Sequence, residues 1–262
     1  MSTFTPVSVP MPGGLADNTV LVGGDGTPVV FLHGLFGQSW EGFLDDLAAD
    51  HKVYAPASPG SAEPQDLVHL DHLWDLLLYY HDLFERLGLE KFDIVGHSFG
   101  GMVAAEFAAV YPERVRKLVL IDALGLWRDD APVRDHAIVP GHELPGLLYH
   151  DLEHPVVAAI VAGMKDPTAD IDATVAVFST VASTSHFIWP IAERGLVKRL
   201  RRIKAETLVL WGAEDKLVPP VYAQDLAAGI AGAEVELVER AGHVPQLERR
   251  EEVATRIAKF LA

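Results

Sequence analysis

The sequence predicts an α/β protein with a mostly parallel sheet, helices on both faces of that sheet, and an inserted helical cap. Short apolar runs rich in Val, Ile and Leu alternate with segments of helical periodicity. Strands that are apolar on both faces are typical of a parallel sheet covered by helices on both sides. Between residues 121 and 206 the alternation stops, which indicates an insertion.

Six apolar runs predict the strands of this sheet. They span residues 28–32, 52–55, 92–95, 117–121, 207–211 and 234–238. Each run has the length of a strand rather than that of a helix.

Three helices are predicted between and after these strands. Apolar residues at three-and-four spacing predict a helix over 70–87, which Gly88 ends. An Ala-rich segment, 102–110, predicts a helix that lies close to the sheet. The closing helix is predicted over 248–261.

The inserted segment, residues 126–197, is predicted to form a helical cap on a core made of residues 1–125 and 198–262. Open α/β sheets bind their ligands outside the carboxyl ends of the strands. Because the insertion follows the carboxyl end of strand 117–121, we expect the cap to cover the ligand site.

Composition narrows the classes of partner and chemistry. The 262 residues carry 21 Lys and Arg against 37 Asp and Glu, a formal net charge of −16. Such a charge repels phosphate backbones and anionic lipid, so we expect a small-molecule partner rather than nucleic acid or a membrane surface. The absence of cysteine from the sequence excludes thiol nucleophiles, disulfides and cysteine-ligated metals.

The amino terminus shows no basic residue followed by an apolar run, and no stretch reaches about 18 apolar residues. We therefore expect a cytoplasmic protein. Monomer and homodimer both remain open, because the oligomeric state leaves no clear mark in the sequence.

A Gly-x-Ser-x-Gly motif lies between a predicted strand and a predicted helix, at Gly96-His97-Ser98-Phe99-Gly100. A serine on a strained strand-to-helix turn needs neighbours without a Cβ, which the two glycines provide. This context favours a nucleophilic serine over a Gly-rich turn that only packs or binds phosphate.

A serine nucleophile needs a base and an acid that orients the base. Asp215 lies in the loop after strand 207–211, and His243 lies in the loop after strand 234–238. With Ser98 they appear in the order Ser, Asp, His, each at the same edge of the sheet. We predict that these three residues are catalytic.

The turn after strand 28–32, His33-Gly34-Leu35-Phe36-Gly37, lies at the same edge. A tetrahedral intermediate needs two backbone N–H donors for its oxyanion. The amides of Leu35 and Phe99 are predicted to supply them.

On these motifs the chain resembles the α/β-hydrolase fold superfamily along essentially its whole length. The resemblance implies Ser98 as nucleophile, His243 as base and then acid, Asp215 as its orienting partner, and no cofactor. A serine in the nucleophile position disfavours the haloalkane dehalogenase and epoxide hydrolase branches.

The C-terminal third also resembles the meta-cleavage-product C–C bond hydrolases. In that branch an Asn commonly precedes the nucleophile and a Trp follows the catalytic histidine, whereas this chain has His97 and Val244. The departure leaves ester hydrolysis as the plainer prediction.

Three other features compete with this interpretation. Asp122, after strand 117–121, is an alternative triad acid, and His97 adjoins the serine but is expected to turn away from it into a structural role. The segment His150 to His154 matches a zinc-protease pattern, H-x-x-E-H. Because Pro155 disfavours a helix there, we predict no metal site.

Substrate contacts are predicted mainly from the cap aromatics, which could equally form the cap's own core. The predicted residues are Trp127, Phe178, Phe187 and Trp189 from the cap, with Leu217 and Val244 from the core. For an acidic substrate, Arg128 and Arg134 are the candidate basic partners.

The sequence therefore predicts a serine hydrolase that cleaves carboxylic esters of small to medium apolar acids through an acyl-enzyme. The alternatives are a C–C hydrolase acting on vinylogous diketones and a non-catalytic receptor that keeps the fold.

Overall fold

A computed structural model describes residues 4–136, 138–165, 168 and 170–262. In these ranges the strands form one sheet in the order β1-β2-β4-β3-β5-β6-β7-β8. The strands are β1 (Phe4–Val9), β2 (Asn18–Gly23), β3 (Thr27–Leu32), β4 (His51–Pro56), β5 (Phe92–His97), β6 (Val115–Ile121), β7 (Glu206–Gly212) and β8 (Glu234–Val238). From β4 to β8 all neighbours are parallel, while β1 and β2 pair antiparallel at one edge. The predicted mostly parallel sheet is confirmed.

The six predicted strands correspond to β3 to β8, and two further strands, β1 and β2, were not predicted. β1 carries Pro6 and is largely exposed, and its partner β2 begins with two polar residues. An exposed antiparallel edge lacks the long apolar runs that mark buried parallel strands.

Helices cover both faces of the sheet. They are α1 (Gly42–Leu47), α2 (Leu73–Arg86), α3 (Phe99–Val110), α4 (Leu144–Leu148), α5 (Pro155–Lys165), α6 (Ile171–Ile188), α7 (Val221–Gly229), α8 (Pro245–Glu248) and α9 (Arg250–Leu261). Short 3₁₀ turns occupy Pro64–His69, Leu196–Lys198 and Leu200–Arg202.

Two predicted helix limits are wrong. The helix expected from residue 70 begins at Leu73, where the Asp75 carboxylate accepts the N–H of His72 at 2.9 Å and closes the first turn. The closing helix expected over 248–261 is broken at Arg249, whose backbone is not helical, so that α8 and α9 are separate.

The core lies on both faces of the sheet, as two clusters of buried side chains. Neighbouring strand residues alternate between them: Ile94 and Leu118 point to one cluster, and Val95 and Val119 point to the other. The Ala-rich helix α3 is buried almost throughout, which lets it lie directly on the sheet.

The segment between β6 and β7 contains α4, α5 and α6, and its described residues form no strand. His150 and His154 lie between α4 and α5, so they do not share a helix. No helix in the described ranges combines the length and the apolar character that a membrane span requires.

Candidate active site

Ser98 lies at the tight turn that joins β5 to α3. Its backbone has φ +55° and ψ −116°, a conformation that L-residues rarely adopt. A Cβ on Gly96 would lie 2.5 Å from the carbonyl oxygen of Gly100, and one on Gly100 would lie 2.1 Å from that of Leu32. The glycines of the motif are therefore required by the close packing of α3 on the sheet.

Asp215 lies in the loop after β7 and is held by two backbone donors. Its Oδ1 accepts the N–H groups of Leu217 at 2.8 Å and Val218 at 2.9 Å. These bonds fix the carboxylate and leave Oδ2 for another partner.

His243 connects Asp215 to Ser98. The Nδ1 of His243 lies 2.7 Å from Asp215 Oδ2, and its Nε2 lies 2.8 Å from Ser98 Oγ. Because a carboxylate only accepts hydrogen bonds, Nδ1 carries the proton and Nε2 is free to accept the serine O–H. The structure thus brings together the three residues predicted to be catalytic, and each is at most 4% exposed.

The predicted oxyanion donors lie beside the serine. Phe99 is the first residue of α3, so its N–H has no acceptor within the helix. Leu35 follows Gly34, and a Cβ on Gly34 would lie 3.2 Å from the Cβ of Ser98. The turn after β3 therefore lies close to Ser98.

His33 fixes that turn through hydrogen bonds of its ring. Its Nε2 accepts the N–H of Ser58 at 3.1 Å, so its Nδ1 carries the proton and donates to the Gly34 carbonyl at 2.7 Å. Burial lowers the pKa of His33 to about 4. The ring is therefore neutral near pH 7 and positions the backbone next to Leu35.

His97 lies against the turn after β3, where a Cβ on Gly34 would be 2.9 Å from its Nδ1, and it also contacts the base. Its Nε2–H donates to the backbone carbonyl of His243 at 2.7 Å. Burial, with a smaller contribution from His243, lowers the pKa of His97 to about 3. The sequence offered no signal for this contact because the two residues are 146 positions apart.

Asp122, the alternative acid, lies close to Asp215 but does not hold the imidazole. Its Oδ1 accepts the N–H of Gly212 at 3.0 Å, while Asp215 provides the partner for His243 Nδ1. Burial, together with the charge of Asp215, raises the pKa of Asp122 well above its usual range. The geometry therefore favours Asp215 as the orienting acid.

Glu248, which the sequence reasoning missed, fixes the loop that carries His243. Its Oε2 accepts the N–H of Gly242 at 2.7 Å, and its Oε1 accepts those of His150 at 2.8 Å and Asp151 at 3.0 Å. The N–H of His243 also donates to the Leu148 carbonyl at 2.7 Å. The end of α4 and the histidine loop thus form one hydrogen-bonded unit.

A small cavity of about 80 Å³ lies within the inserted segment and is bounded by Leu124 after β6. It is lined by Leu124, Trp127, Val133, Arg134, Asp135, His136, Ser185, Ile188, Trp189, Pro190, Ile191 and Ala192. Of these residues Leu124 is connected to Ser98, because its N–H donates to the Ser98 carbonyl at 3.1 Å, while Ser98, Asp215 and His243 do not line the cavity.

The residues predicted to contact substrate lie in different surroundings. Trp127 and Trp189 line the cavity, whereas Phe187 is 3% exposed and packs against Phe99 with ring centroids 6.4 Å apart. The prediction for Phe178 is corrected: its side chain is 69% exposed on α6 and does not reach the cavity.

Leu217 and Val244 are buried beside the loops of Asp215 and His243 and do not line this cavity. Of the two candidate basic partners, Arg128 is hydrogen-bonded to Asp130 and Asp225, while Arg134 lines the cavity.

The described residues bring together one group with the composition of a metal site, Asp122, Asp215 and His243. Both ring nitrogens of His243 are already engaged, one by Asp215 and the other by Ser98. The arrangement fits proton transfer at Ser98 better than metal ligation.

The sequence pattern of the alpha/beta hydrolase family matches residues 29–256. The match covers the four loops that meet at Ser98 and most of the chain. The chain belongs to the alpha/beta hydrolase family.

Individual relatives are distant but cover nearly the whole chain. A 2-hydroxy-6-oxo-2,4-heptadienoate hydrolase from Pseudomonas putida is 26% identical over 95% of this chain and 94% of its own length. Among solved structures, a bacterial membrane phospholipase A superposes with a TM-score of 0.80, at 23% identity over 99% of this chain and 86% of its own. Naproxen esterase from Bacillus subtilis superposes with a TM-score of 0.71, at 20% identity over 99% and 92%.

Proposed function

We propose that this alpha/beta hydrolase is a serine hydrolase that cleaves carboxylic esters of small to medium apolar acids through an acyl-enzyme. The observation that carries the proposal is the hydrogen-bonded chain from Ser98 Oγ through His243 to Asp215, with distances of 2.8 and 2.7 Å. This arrangement activates a hydroxyl for attack on a carbonyl carbon.

In the first half of the reaction, His243 Nε2 takes the proton of Ser98 as Oγ attacks the carbonyl. Asp215 stabilises the resulting imidazolium through its bond to Nδ1. His243 then protonates the leaving alcohol, and the acyl group remains on Ser98. Water, deprotonated by His243, hydrolyses the acyl-enzyme in the second half.

The negative charge of the tetrahedral intermediate falls on the former carbonyl oxygen. We assign the Leu35 and Phe99 amides as its donors, because both residues lie at the serine and Phe99 opens a helix. Loss of one such donor typically costs about 2.7–4 kcal/mol of transition-state stabilisation.

The cavity that Leu124 shares with the inserted segment supports the preference for a small apolar acyl group. Its volume is about 80 Å³, and Leu124, Ile188 and Ala192 form the apolar part of its lining, next to Arg134 and His136. Trp127 and Trp189 add aromatic surface.

A second candidate is C–C hydrolysis of a vinylogous diketone, in which His243 would first promote ketonisation of the substrate. The named heptadienoate hydrolase favours this candidate, as does the placement of Arg134 and His136 in the cavity, where a carboxylate needs a partner. His97 and Val244 remain departures from the C–C hydrolase pattern.

The two candidates are separated by kcat/KM on p-nitrophenyl butyrate and on a meta-cleavage dienoate, measured with the same preparation. We expect the ester to be preferred by about a hundredfold or more, which is roughly 2.7 kcal/mol of transition-state preference. A preference for the dienoate would assign the C–C reaction instead.

Two serine variants complete the experiment. Ser98→Ala removes the nucleophile, and by analogy with other serine hydrolases kcat is expected to fall by on the order of 10⁵–10⁶-fold. Ser39→Ala is the matched control, because Ser39 is exposed and bonded to Glu41. Turnover that survives in Ser98→Ala, or binding of both compounds without turnover, would contradict the proposed function.

A further inference from the structure

Asp122 is a buried carboxyl group that the proposed reaction does not use. It directly follows β6 and is fully buried, with a backbone φ of +45°. A non-glycine residue in this conformation is strained, so local backbone preference does not explain its place here. Its contacts indicate a role next to Asp215.

One oxygen of Asp122 is satisfied and the other is not. Oδ1 accepts the N–H of Gly212 at 3.0 Å. Oδ2 is buried, and no donor faces it from the part of the chain that the structure describes. An oxygen of Asp122, an oxygen of Asp215 and a ring nitrogen of His243 all lie within 4.8 Å of one another.

Both oxygens of Asp215 already accept hydrogen bonds. It accepts from His243 Nδ1 and from the N–H groups of Leu217 and Val218. A second buried anion beside it would be repelled and would have no donor for Oδ2. A proton on Oδ2 of Asp122 removes both difficulties, since the hydroxyl then donates to Asp215.

We propose that Asp122 is a neutral carboxylic acid that donates a hydrogen bond to Asp215, so that two carboxyl groups carrying one negative charge face His243. The inference rests on the proposed function, because it concerns the acid that orients His243. Asp122 is a positioning residue: it acts through Asp215 and does not touch the substrate.

The charged groups around Asp122 agree with this assignment. Besides burial, the negative charges of Asp215 and, more weakly, Glu248 oppose ionisation of Asp122 and raise its pKa. His243 is the group near the pair that gains a positive charge during the reaction. One negative charge on the pair balances that imidazolium, and the proton of Asp122 stays in place throughout.

Infrared spectroscopy detects the proton on the Asp122 carboxyl group directly, and this measurement does not depend on enzyme activity. At pH 7 we expect the wild-type spectrum to contain the C=O stretch of a buried carboxylic acid, and Asp122→Asn to lack it. Asp46→Asn is the matched control, because Asp46 is ion-paired with Arg250 at the surface and its loss leaves the band unchanged. A wild-type spectrum without the band would overturn the proposal, even if hydrolysis itself is demonstrated.

Kinetics then test the positioning role. Asp122→Asn keeps an acceptor for Gly212 and a donor toward Asp215, and Asn tolerates positive φ, so we expect kcat within about threefold of wild type. Asp122→Ala removes the donor, and we expect kcat to fall about tenfold or more.

The pH profile separates positioning from a merely structural effect. Without the donor, the negative charge concentrates on Asp215 and favours the protonated form of His243. The acid limb of kcat/KM in Asp122→Ala should therefore move to higher pH by about half a unit, whereas that of Asp122→Asn should not move. An Asp122→Ala enzyme with the wild-type rate and profile would refute the role, and so would equal losses in both variants.

Discussion

The loops at the carboxyl ends of the strands and the inserted segment, residues 126–197, are built in different ways. At the edge, Ser98, Asp215 and His243 are buried, and each is held by hydrogen bonds from neighbouring loops. In the cap, several large apolar side chains are exposed, among them Ile171, Val175 and Phe178 on α6. The difference teaches that the groups predicted to react are fixed by buried hydrogen bonds, whereas α6 leaves much of its apolar surface exposed.

The largest expected change in stability comes from replacing Gly212, at the end of β7, and the comparison is with Gly163 in α5. A Cβ on Gly212 would lie 1.9 Å from the carbonyl oxygen of Gly242, whereas a Cβ on Gly163 in α5 meets nothing within 4 Å. Gly212→Ala should destabilise the fold by about 4 kcal/mol or more and remove activity. Gly163→Ala should stabilise it by about 0.5–1 kcal/mol.

Denaturant unfolding of the two variants measures these free energies. If Gly212→Ala unfolded with the wild-type midpoint, the close packing of the β7 and histidine loops would be disproved.

A smaller effect distinguishes two aromatic residues within the cap. Phe187 is buried against Phe99, so Phe187→Ala should lower stability by about 3–4 kcal/mol and reduce kcat/KM through the displaced first turn of α3. Phe178→Ala should change stability by at most about 0.5 kcal/mol, because its side chain is exposed.

Thermal unfolding and kcat/KM on p-nitrophenyl butyrate test both aromatic substitutions. Equal losses in the two variants would show that the outer face of α6 contributes to the site after all.

The smallest of these effects concerns pH. His97 has a pKa of about 3 in the folded protein, against 6.5 for the free side chain, because burial opposes its charge. The unfolded chain therefore binds the extra proton first, and stability is lost as pH falls below 6.5. Between pH 7.5 and 5 this residue alone should remove about 2 kcal/mol of stability.

His97→Asn lacks this titration, so its stability should fall by about 2 kcal/mol less than that of wild type over the same range. Comparing the two proteins cancels the contributions of groups that do not interact with His97. Parallel curves of unfolding free energy against pH would show that folding leaves the pKa of His97 unchanged.

The sequence predicted the parallel strands and the three residues of the hydrogen-bonded chain because these follow local rules. An apolar run bounded by a turn specifies a buried strand, and parallel strands end at one edge. Once the strands were placed, Ser98, Asp215 and His243 had to lie near one another. The predicted order and loops of these three residues agree with the structure.

What could not be predicted depends on packing between distant segments. Glu248 is one of 37 acidic residues, and nothing in its neighbourhood marks it as a partner of the histidine loop. The sequence placed Asp122 at the same edge of the sheet, as an alternative acid, but it gave no sign that Asp122 lies against Asp215. The helices of the cap are apolar on several sides, as α6 shows with both Phe178 and Phe187, so periodicity did not separate its inner face from its outer face.

The three hydrogen bonds of Glu248 set a limit for engineering chimeric enzymes. Its carboxylate ties Gly242 to His150 and Asp151, so the first part of the cap shares its support with the loop of the base. A cap transplanted from a relative at residue 126 would remove two of these donors and the Leu148 carbonyl that accepts from His243. A graft that begins after residue 151 leaves them in place and exchanges mainly α5 and α6, so we expect the hydrogen bonds around His243 to survive it.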